Sequence, residues 1–482
     1  MNYKMILNVL GKALILEAFL LAVPMSVGFI YAENNWTSFI YPIAGALFLG
    51  FILSLVKPKE KSIYVKEGFV IVALVWVLYS LVGAVPFVLA KNTGIPNYVD
   101  AFFETVSGFT TTGASILSDL TKMSKAHMFW RLFTHWIGGM GVLVFVLALL
   151  PKHNSGLMHL FRAESPGPSP DKLVGKIKQT ARILYGIYIA LTVLQIILLL
   201  AGGMPLYDSV VHSFSVAGTG GFSMYADSIV HYNNLYFEIV MAIFMFLFGV
   251  NFNVFYLILI GKGRKGLKSE ELKAYTIIVI VSTILIAVNI LGVCASFAVA
   301  LRYSIFQVTS VSSTTGLFSA TNFNEWPTFS RAILLVLSCI GGCAGSTGGG
   351  IKVIRLSVLS KSIFGDLKKM IRPRSVNSLK IDGEALDGNT ERNVRSYFIF
   401  WVLIIVLVTL LLSAFEKTSL FTNLSSTISS IGNVGFNVVG SDFCYGVYSP
   451  FGKILLSFVM LAGRLEIFPL LLLFMPRTWR KA

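Results

Sequence analysis

Four thirteen-residue windows of this chain align without a gap: AFFETVSGFTTTG (101–113), SVVHSFSVAGTGG (209–221), SIFQVTSVSSTTG (304–316) and NLSSTISSIGNVG (423–435). Each closes on glycine, so Gly113, Gly221, Gly316 and Gly435 occupy one equivalent position. The residues leading into them are Thr111 and Thr112, Thr219 and Gly220, Thr314 and Thr315, and Asn433 and Val434. Such side chains offer no nucleophile and no acid–base pair. What they offer is oxygen: small residues leave a lumen open, extended backbone turns its carbonyls inward, and threonine hydroxyls add to them. Four such segments around one axis make a ring able to replace the hydration shell of a monovalent cation. For one window alone, a tight helix-packing site of small residues would explain the composition; it does not explain four windows in register.

A second glycine-rich stretch, GGCAGSTGGGIK (341–352), follows the apolar run 333–340. Within it Gly345, Ser346, Thr347, Gly348, Gly349 and Gly350 reproduce the G-x-x-x-x-G spacing of a phosphate loop. That loop needs lysine directly after its last glycine and then a magnesium-binding hydroxyl, whereas Ile351 intervenes here and Val353 follows Lys352. No dinucleotide-binding fingerprint is present either. Neither H-E-x-x-H nor G-x-S-x-G occurs, which leaves a hydrolase without a zinc site or a nucleophile. Cys294, Cys339, Cys343 and Cys444 form neither a C-x-x-C pair nor a disulfide framework. The chain reads as a non-enzyme without an organic cofactor.

These segments need a frame, and composition names it. Of 482 residues 55% are hydrophobic and 13% charged, with a mean hydropathy of +0.76, against roughly 45–50% apolar usage in soluble domains. A hydrocarbon core of about 30 Å takes roughly 20 apolar residues per helix. Such stretches recur at 7–31, 38–56, 69–90, 128–150, 183–201, 235–260, 274–294, 329–358 (interrupted), 397–415 and 451–475, giving ten candidate spans. The first is long for a cleaved signal, carries Glu17 and lacks a convincing small-x-small cleavage site before the next span. Each glycine window lies between two spans, and the four glycines are 108, 95 and 119 residues apart, as whole-unit duplication requires. The unit is span, short half-helix, glycine, span. A half-helix entering the membrane points its negative, C-terminal dipole end at the bilayer middle. Irregular backbone beyond it is tolerated where it lines water.

The net charge of +16 raises nucleic acid as a partner, but its distribution answers otherwise. With the N-terminus inside, 30 of 39 Lys and Arg fall in the inner segments 1–12, 57–66, 151–182, 261–273, 352–395 and 477–481, and 8 fall outside. This positive-inside bias places both termini in the cytoplasm and leaves nucleic acid unneeded. The tracts 162–172 and 361–395 read as cytoplasmic loops, the second long enough to meet a partner. Acids keep the register of the repeats as well. Asp100 and Asp208 stand thirteen residues before the terminal glycine, where an acid would cap or oppose the positive start of a half-helix. Asp119, Asp227, Asn322 and Ser441 stand six after it, with Asp442 next. They describe either ordinary loop polarity or an acidic outer vestibule that concentrates cations. Arg464 lies deep inside the last span, is counted on neither side, and so asks for a function and a partner; Glu466, two residues on, would face elsewhere on a helix and pair poorly with it.

The expected fold is an all-α integral membrane protein: an N-terminal transmembrane pair (1–66), then four pseudo-repeats of helix, pore half-helix, filter and helix around one pore (67–160, 161–265, 266–375 and 376–482). On FTTTG, AGTGGFS, SSTTG and IGNVG, on WRLFTHWIGGMG (130–141), GGCAGSTGGGIK and GRLEIFP (463–469), the chain resembles the Trk/Ktr/HKT superfamily of cation transporters over nearly its whole length. The extra N-terminal pair resembles the TrkH branch rather than the shorter KtrB. That resemblance implies a bacterial inner-membrane protein, a homodimer, and TrkA-type cytoplasmic nucleotide-binding ring subunits as partners. Glycine at all four terminal positions, where serine in the first accompanies sodium transport, implies K+ as the transported ion. It further implies that 345–350 is a loop obstructing the pore below the filter and that Arg464 stands beside it in the permeation path. A plain helix break and a carbonyl-capping arginine are the structural counterparts of these two readings. A sodium-permeable transporter, or a secondary carrier of another solute built on half-helix ends, is the alternative function.

Overall fold

The computed structural model describes residues 1–58, 65–90, 93–141, 177–320, 323–372, 379–438 and 444–479. Its frame is helical, as composition requires. Helices α1 (Tyr3–Ile30) and α2 (Ile40–Ser54) form the N-terminal hairpin around a 3-10 turn, Asn34–Phe39. Gly11 and Gly50 let the two backbones touch: a Cβ on Gly11 would lie 2.7 Å from the Gly50 carbonyl oxygen.

The chain then runs through one succession four times. A long helix comes first: α3 (Val65–Leu89), α6 (Ile177–Ala201), α11 (Glu270–Asn289) or α15 (Gly388–Phe415). A half-helix follows it: α4 (Tyr98–Phe109), α7 (Leu206–Ala217), α12 (Phe297–Ser312) or α16 (Leu420–Gly432). Their 12 to 16 residues rise about 18–24 Å, too little to cross a bilayer. Three begin on a side-chain cap, with Asn97, Ser296 and Ser419 accepting from the amides of Asp100, Val299 and Thr422. Asp100 therefore does not cap α4; it sits in the first turn and pairs with Lys453 at 2.5 Å. Asp208 holds the matching place on α7 and accepts from the Tyr232 hydroxyl.

The returning inner helices differ most from the expected pattern. The first, α5 (Lys125–Gly139), stops at Gly139, and residues 142–150 of its expected span lie outside the described residues. The apolar stretch 235–260 is two helices, α8 (Leu235–Phe248) and α9 (Phe252–Leu259), bent by 91° at the break. Gly249 ends the first and the Asn251 side chain caps the second by accepting from Asn253 N–H, so local capping wins over hydrophobic continuity. A short helix α10 (Gly263–Leu267) leads to the third repeat. There α13 (Thr328–Ile340) and α14 (Val353–Ile371) flank the glycine stretch, as the interrupted span anticipated. The expected continuous span 451–475 is also broken, into α17 (Pro450–Arg464) and α18 (Phe468–Phe474), before a last short turn α19 (Pro476–Trp479). Among the described residues six helices are long and apolar enough to cross a membrane alone, seven with the bent pair. Beyond α14 a two-stranded antiparallel hairpin, β1 (Lys380–Ile381) and β2 (Glu384–Ala385), lies on the side of the basic loops.

Candidate ion-conduction site

The four glycine windows meet. At the end of each half-helix the backbone turns left-handed, at Thr111 (φ +54°), Thr219 (+52°), Thr314 (+63°) and Asn433 (+52°), and again two residues later at the terminal glycine (+73° to +83°). One hydrogen bond recurs at each turn: Thr112, Gly220, Thr315 and Val434 donate their amides to the carbonyls of Ser107, Ser215, Ser310 and Ser429, at 2.7 to 2.9 Å. This closure reverses the chain at a helix C-terminus and satisfies a carbonyl that would otherwise be orphaned. The serine column is a fifth repeat feature that reading the windows by their last three residues passes over. Two of its hydroxyls reach further along, Ser215 to Phe222 O and Ser310 to Leu317 O.

The segments close into a ring. A Cβ on Gly113 would stand 1.9 Å from the carbonyl oxygen of Gly220, on Gly221 2.0 Å from that of Thr315, on Gly316 2.0 Å from that of Val434, and on Gly435 2.2 Å from that of Thr112. Each repeat thus rests on the next, the fourth on the first. Any side chain at these glycines collides with a neighbouring carbonyl and also meets a φ that L-residues rarely adopt.

Buried polar groups hold the ring, and of these sequence reading named Asn433 but gave no role to Glu104, Arg131 or His135. Glu104, inside α4, accepts from the Ser115 hydroxyl, from Ile116 N–H, and from Arg131 Nε at 2.6 Å. Arg131 donates onward to Ser223 O and lies over the Phe222 ring at 3.5 Å, tying the first repeat to the second. His135 donates from Nδ1 to Gly108 O and accepts Phe222 N–H at Nε2, which fixes the neutral tautomer with both nitrogens used. Asn433 donates to the Thr112 hydroxyl and to Met460 O, linking fourth repeat to first. Glu104 with Arg131 was legible as residue types, but their partnership spans 27 positions and two helices, which no local pattern reports.

Above the ring a cavity of about 430 Å³ is lined by all four terminal glycines, by Arg131 and by Asp227 among others. On the ring's other side, the glycine stretch packs against the ends of the third and fourth half-helices. Gly349 N–H donates to the Thr314 hydroxyl at 2.7 Å, and a Cβ on Gly349 would meet Gly432 O at 2.4 Å. A Cβ on Gly348 would meet Ser313 O at 2.7 Å. The stretch leans on the α8–α9 break through Cys343 N–H to Gly249 O and Phe252 N–H to Gly345 O. Lys352 is buried, is held at φ +79° and turns its ammonium back onto Gly348 O. Left-handed backbone at a lysine costs about 1–3 kcal/mol and persists only where surroundings impose it.

Arg464 ends α17 at this level and donates to Thr347 O (2.8 Å), Gly138 O (2.5 Å) and Gly139 O (2.8 Å). It joins the ends of the first and fourth inner helices to the third. Glu466 serves another cation, pairing with Arg355 of α14 at 2.5 Å. The arrangement brings together a ring of backbone carbonyls, a cavity on one side of it, and a basic, glycine-rich stretch on the other.

A family model described as TrkH, cation transport protein, matches residues 43–481. The chain belongs to the TrkH family. It is 35% identical to the Trk system potassium uptake protein TrkH of Salmonella typhimurium and 34% identical to that of Escherichia coli K12, each over the whole of both chains. The crystal structure of the potassium transporter TrkH from Vibrio parahaemolyticus superimposes with a TM-score of 0.90 at 30% identity, again over the whole of both chains.

For this TrkH-family chain, membership and the long apolar helices make a multi-pass membrane protein. The four windows come together, 345–350 packs against the third and fourth of them, and Arg464 donates to it at Thr347 O. The repeat-locked acids do not behave alike. Asp227 lines the cavity and lies 3.7 Å from His231, whereas Asp119 is absent from the lining and faces Lys122 at 3.5 Å. The Thr121 hydroxyl and amide hold the Asp119 carboxyl below the usual range. Asn322, Ser441 and Asp442 lie outside the described residues.

Proposed function

We propose that this chain carries K+ across the bacterial inner membrane through the ring of carbonyls and hydroxyls at 111–113, 219–221, 314–316 and 433–435. The observation that carries the reading is the cyclic closure of the four glycines on one another's carbonyls. A desolvated potassium ion needs several oxygens at one depth, and backbone supplies them without adding charge. The relatives named for potassium uptake support that choice of ion. The stretch 345–350, directly beneath the ring, acts as a movable barrier, with Arg464 holding it by Thr347 O and setting a positive charge in the path. Asp227 draws cations to the outer mouth.

The basic excess of 30 inner against 8 outer Lys and Arg supports cytoplasmic termini. Ring-forming nucleotide-binding subunits of the TrkA type would then meet the inner face, and two pore chains would pair as a homodimer in the lipid. The four pseudo-repeats bounded at 67–160, 161–265, 266–375 and 376–482, with the pair 1–66, are the folding units. Uptake of labelled potassium into vesicles carrying the purified chain, with and without competing sodium, tests the function. Potassium uptake that sodium barely inhibits supports it, and uptake of sodium at equal rate contradicts it.

A further inference from the structure

Glu271 takes no part in the ion path, yet it touches the loop at both ends. It is the second residue of α11 and is buried. Its Oε1 accepts Ala344 N–H at 2.6 Å and Ile354 N–H at 3.2 Å. Ala344 is the last residue before 345–350. Ile354 lies in the first turn of α14, whose N-cap, Lys352, supplies no side-chain cap. Helix N-terminal amides need an acceptor, and a carboxylate suits the positive dipole end best. Glu271 provides it from another helix, and the same oxygen grips the loop entrance. The Asn251 side chain, at the α8–α9 break, lies beside the same carboxyl.

The adjoining residues lead outward. Glu270 N–H donates to Asp382 Oδ1 at 2.7 Å, on the turn of the β1–β2 hairpin. The Glu270 carboxylate pairs with Lys361 of α14, and Lys361 also donates to Lys380 O of β1. One turn of α11 is therefore bound to the loop by Glu271 and to the basic face by Glu270 and Asp382.

We propose that Glu271 is a positioning residue that clasps both ends of the glycine loop and holds it across the pore, and that the β1–β2 hairpin bears on this clasp through Asp382. The proposal rests on the reading of 345–350 as a barrier. A partner that moves the hairpin would then move the turn of α11 that holds the loop.

The test is uptake of labelled potassium by vesicles carrying the full chain, without partner, for Glu271→Ala, Glu271→Asp, Glu271→Gln and Asp382→Ala, beside a chain lacking 345–350. Glu271→Ala and Glu271→Asp, which remove or withdraw the acceptor, should raise uptake about tenfold, the population shift expected from losing a charge-assisted hydrogen bond. Glu271→Gln keeps an acceptor oxygen and should raise it by no more than about threefold. Asp382→Ala should give a smaller rise than Glu271→Ala. Potassium over sodium preference should stay at the wild-type value in all four, which a merely misfolded chain would not maintain. Wild-type uptake by folded Glu271→Ala, with raised uptake from the loop deletion, overturns the clasp and spares the barrier. Wild-type uptake from the loop deletion as well overturns both. If Glu271→Ala does not fold, equal uptake by the Asp and Gln variants overturns the clasp. Wild-type uptake by Asp382→Ala overturns the link to the hairpin.

Discussion

Replacing Arg464 by alanine should open the pore without changing what passes through it. Of the bonds this guanidinium donates, the one to Thr347 O at 2.8 Å reaches the loop, while those to Gly138 O and Gly139 O anchor it to the end of α5. A hydrogen bond from a charged donor is worth about 1.5–3 kcal/mol, and 1.4 kcal/mol is about tenfold in an equilibrium. The barrier should therefore leave the axis roughly 10 to 100 times more often, and basal uptake should rise by that factor until the ring above limits it. Loss of the positive charge from the path adds in the same direction. Arg464→Lys keeps the charge but not the planar fork that spans three carbonyls, and should fall between. Combining Arg464→Ala with deletion of 345–350 should raise uptake by less than the product of the separate effects, because both act on one barrier. The assay is labelled-potassium uptake in vesicles, with monodisperse elution as the control for folding. Wild-type basal uptake from a folded Arg464→Ala chain would refute the reasoning and leave Arg464 as a cap for the α5 carbonyls.

Two further outcomes follow from the same geometry. Asp227→Asn should lower potassium uptake at low ionic strength and little at physiological salt, where charge is screened over about 8 Å, and Asp119→Asn should do less because it lies off the cavity; uptake measured across a salt series decides, an equal loss at every salt pointing to a structural role. Glu104→Gln leaves Arg131 buried without its counter-charge and should cost about 3–5 kcal/mol, read as a lowered thermal midpoint of the purified chain, whereas an unchanged midpoint would mean that the ring does not depend on this pair.

The architecture was legible where local chemistry repeats. The glycines at 113, 221, 316 and 435 stand in register because each must meet a neighbour's carbonyl at about the same separation, and the same demand recurs four times. Helix breaks were legible only where glycine accumulates, as at 341–350. The break at 249–251 was read as continuous because its flanks are apolar, although Asn251 following Gly249 is a stop and a start in two residues. Pro469 in GRLEIFP stands in the first turn of α18 and marks a helix start, a signal passed over in the same way. What lay beyond reach was long-range pairing. Glu104 with Arg131, and Glu271 with Ala344 and Ile354, join residues 27 to 83 positions apart, and a lone acid in an apolar sequence does not name its partner. The cavity lining was equally hidden: Asp119 and Asp227 hold one register position, yet only the second borders the mouth.

The central claim is that four interlocked backbone segments choose the ion, and Gly113 is where it is most exposed to test. A Cβ there would stand 1.9 Å from the Gly220 carbonyl oxygen at a φ of +81°, so Gly113→Ser must displace at least one oxygen of the ring. Reversal potentials in mixed potassium and sodium, measured on the wild-type and Gly113→Ser chains reconstituted in bilayers, address it directly. The wild-type potential should follow the potassium gradient, and that of Gly113→Ser should shift toward the sodium gradient. A folded Gly113→Ser chain that keeps the wild-type reversal potential would contradict the account.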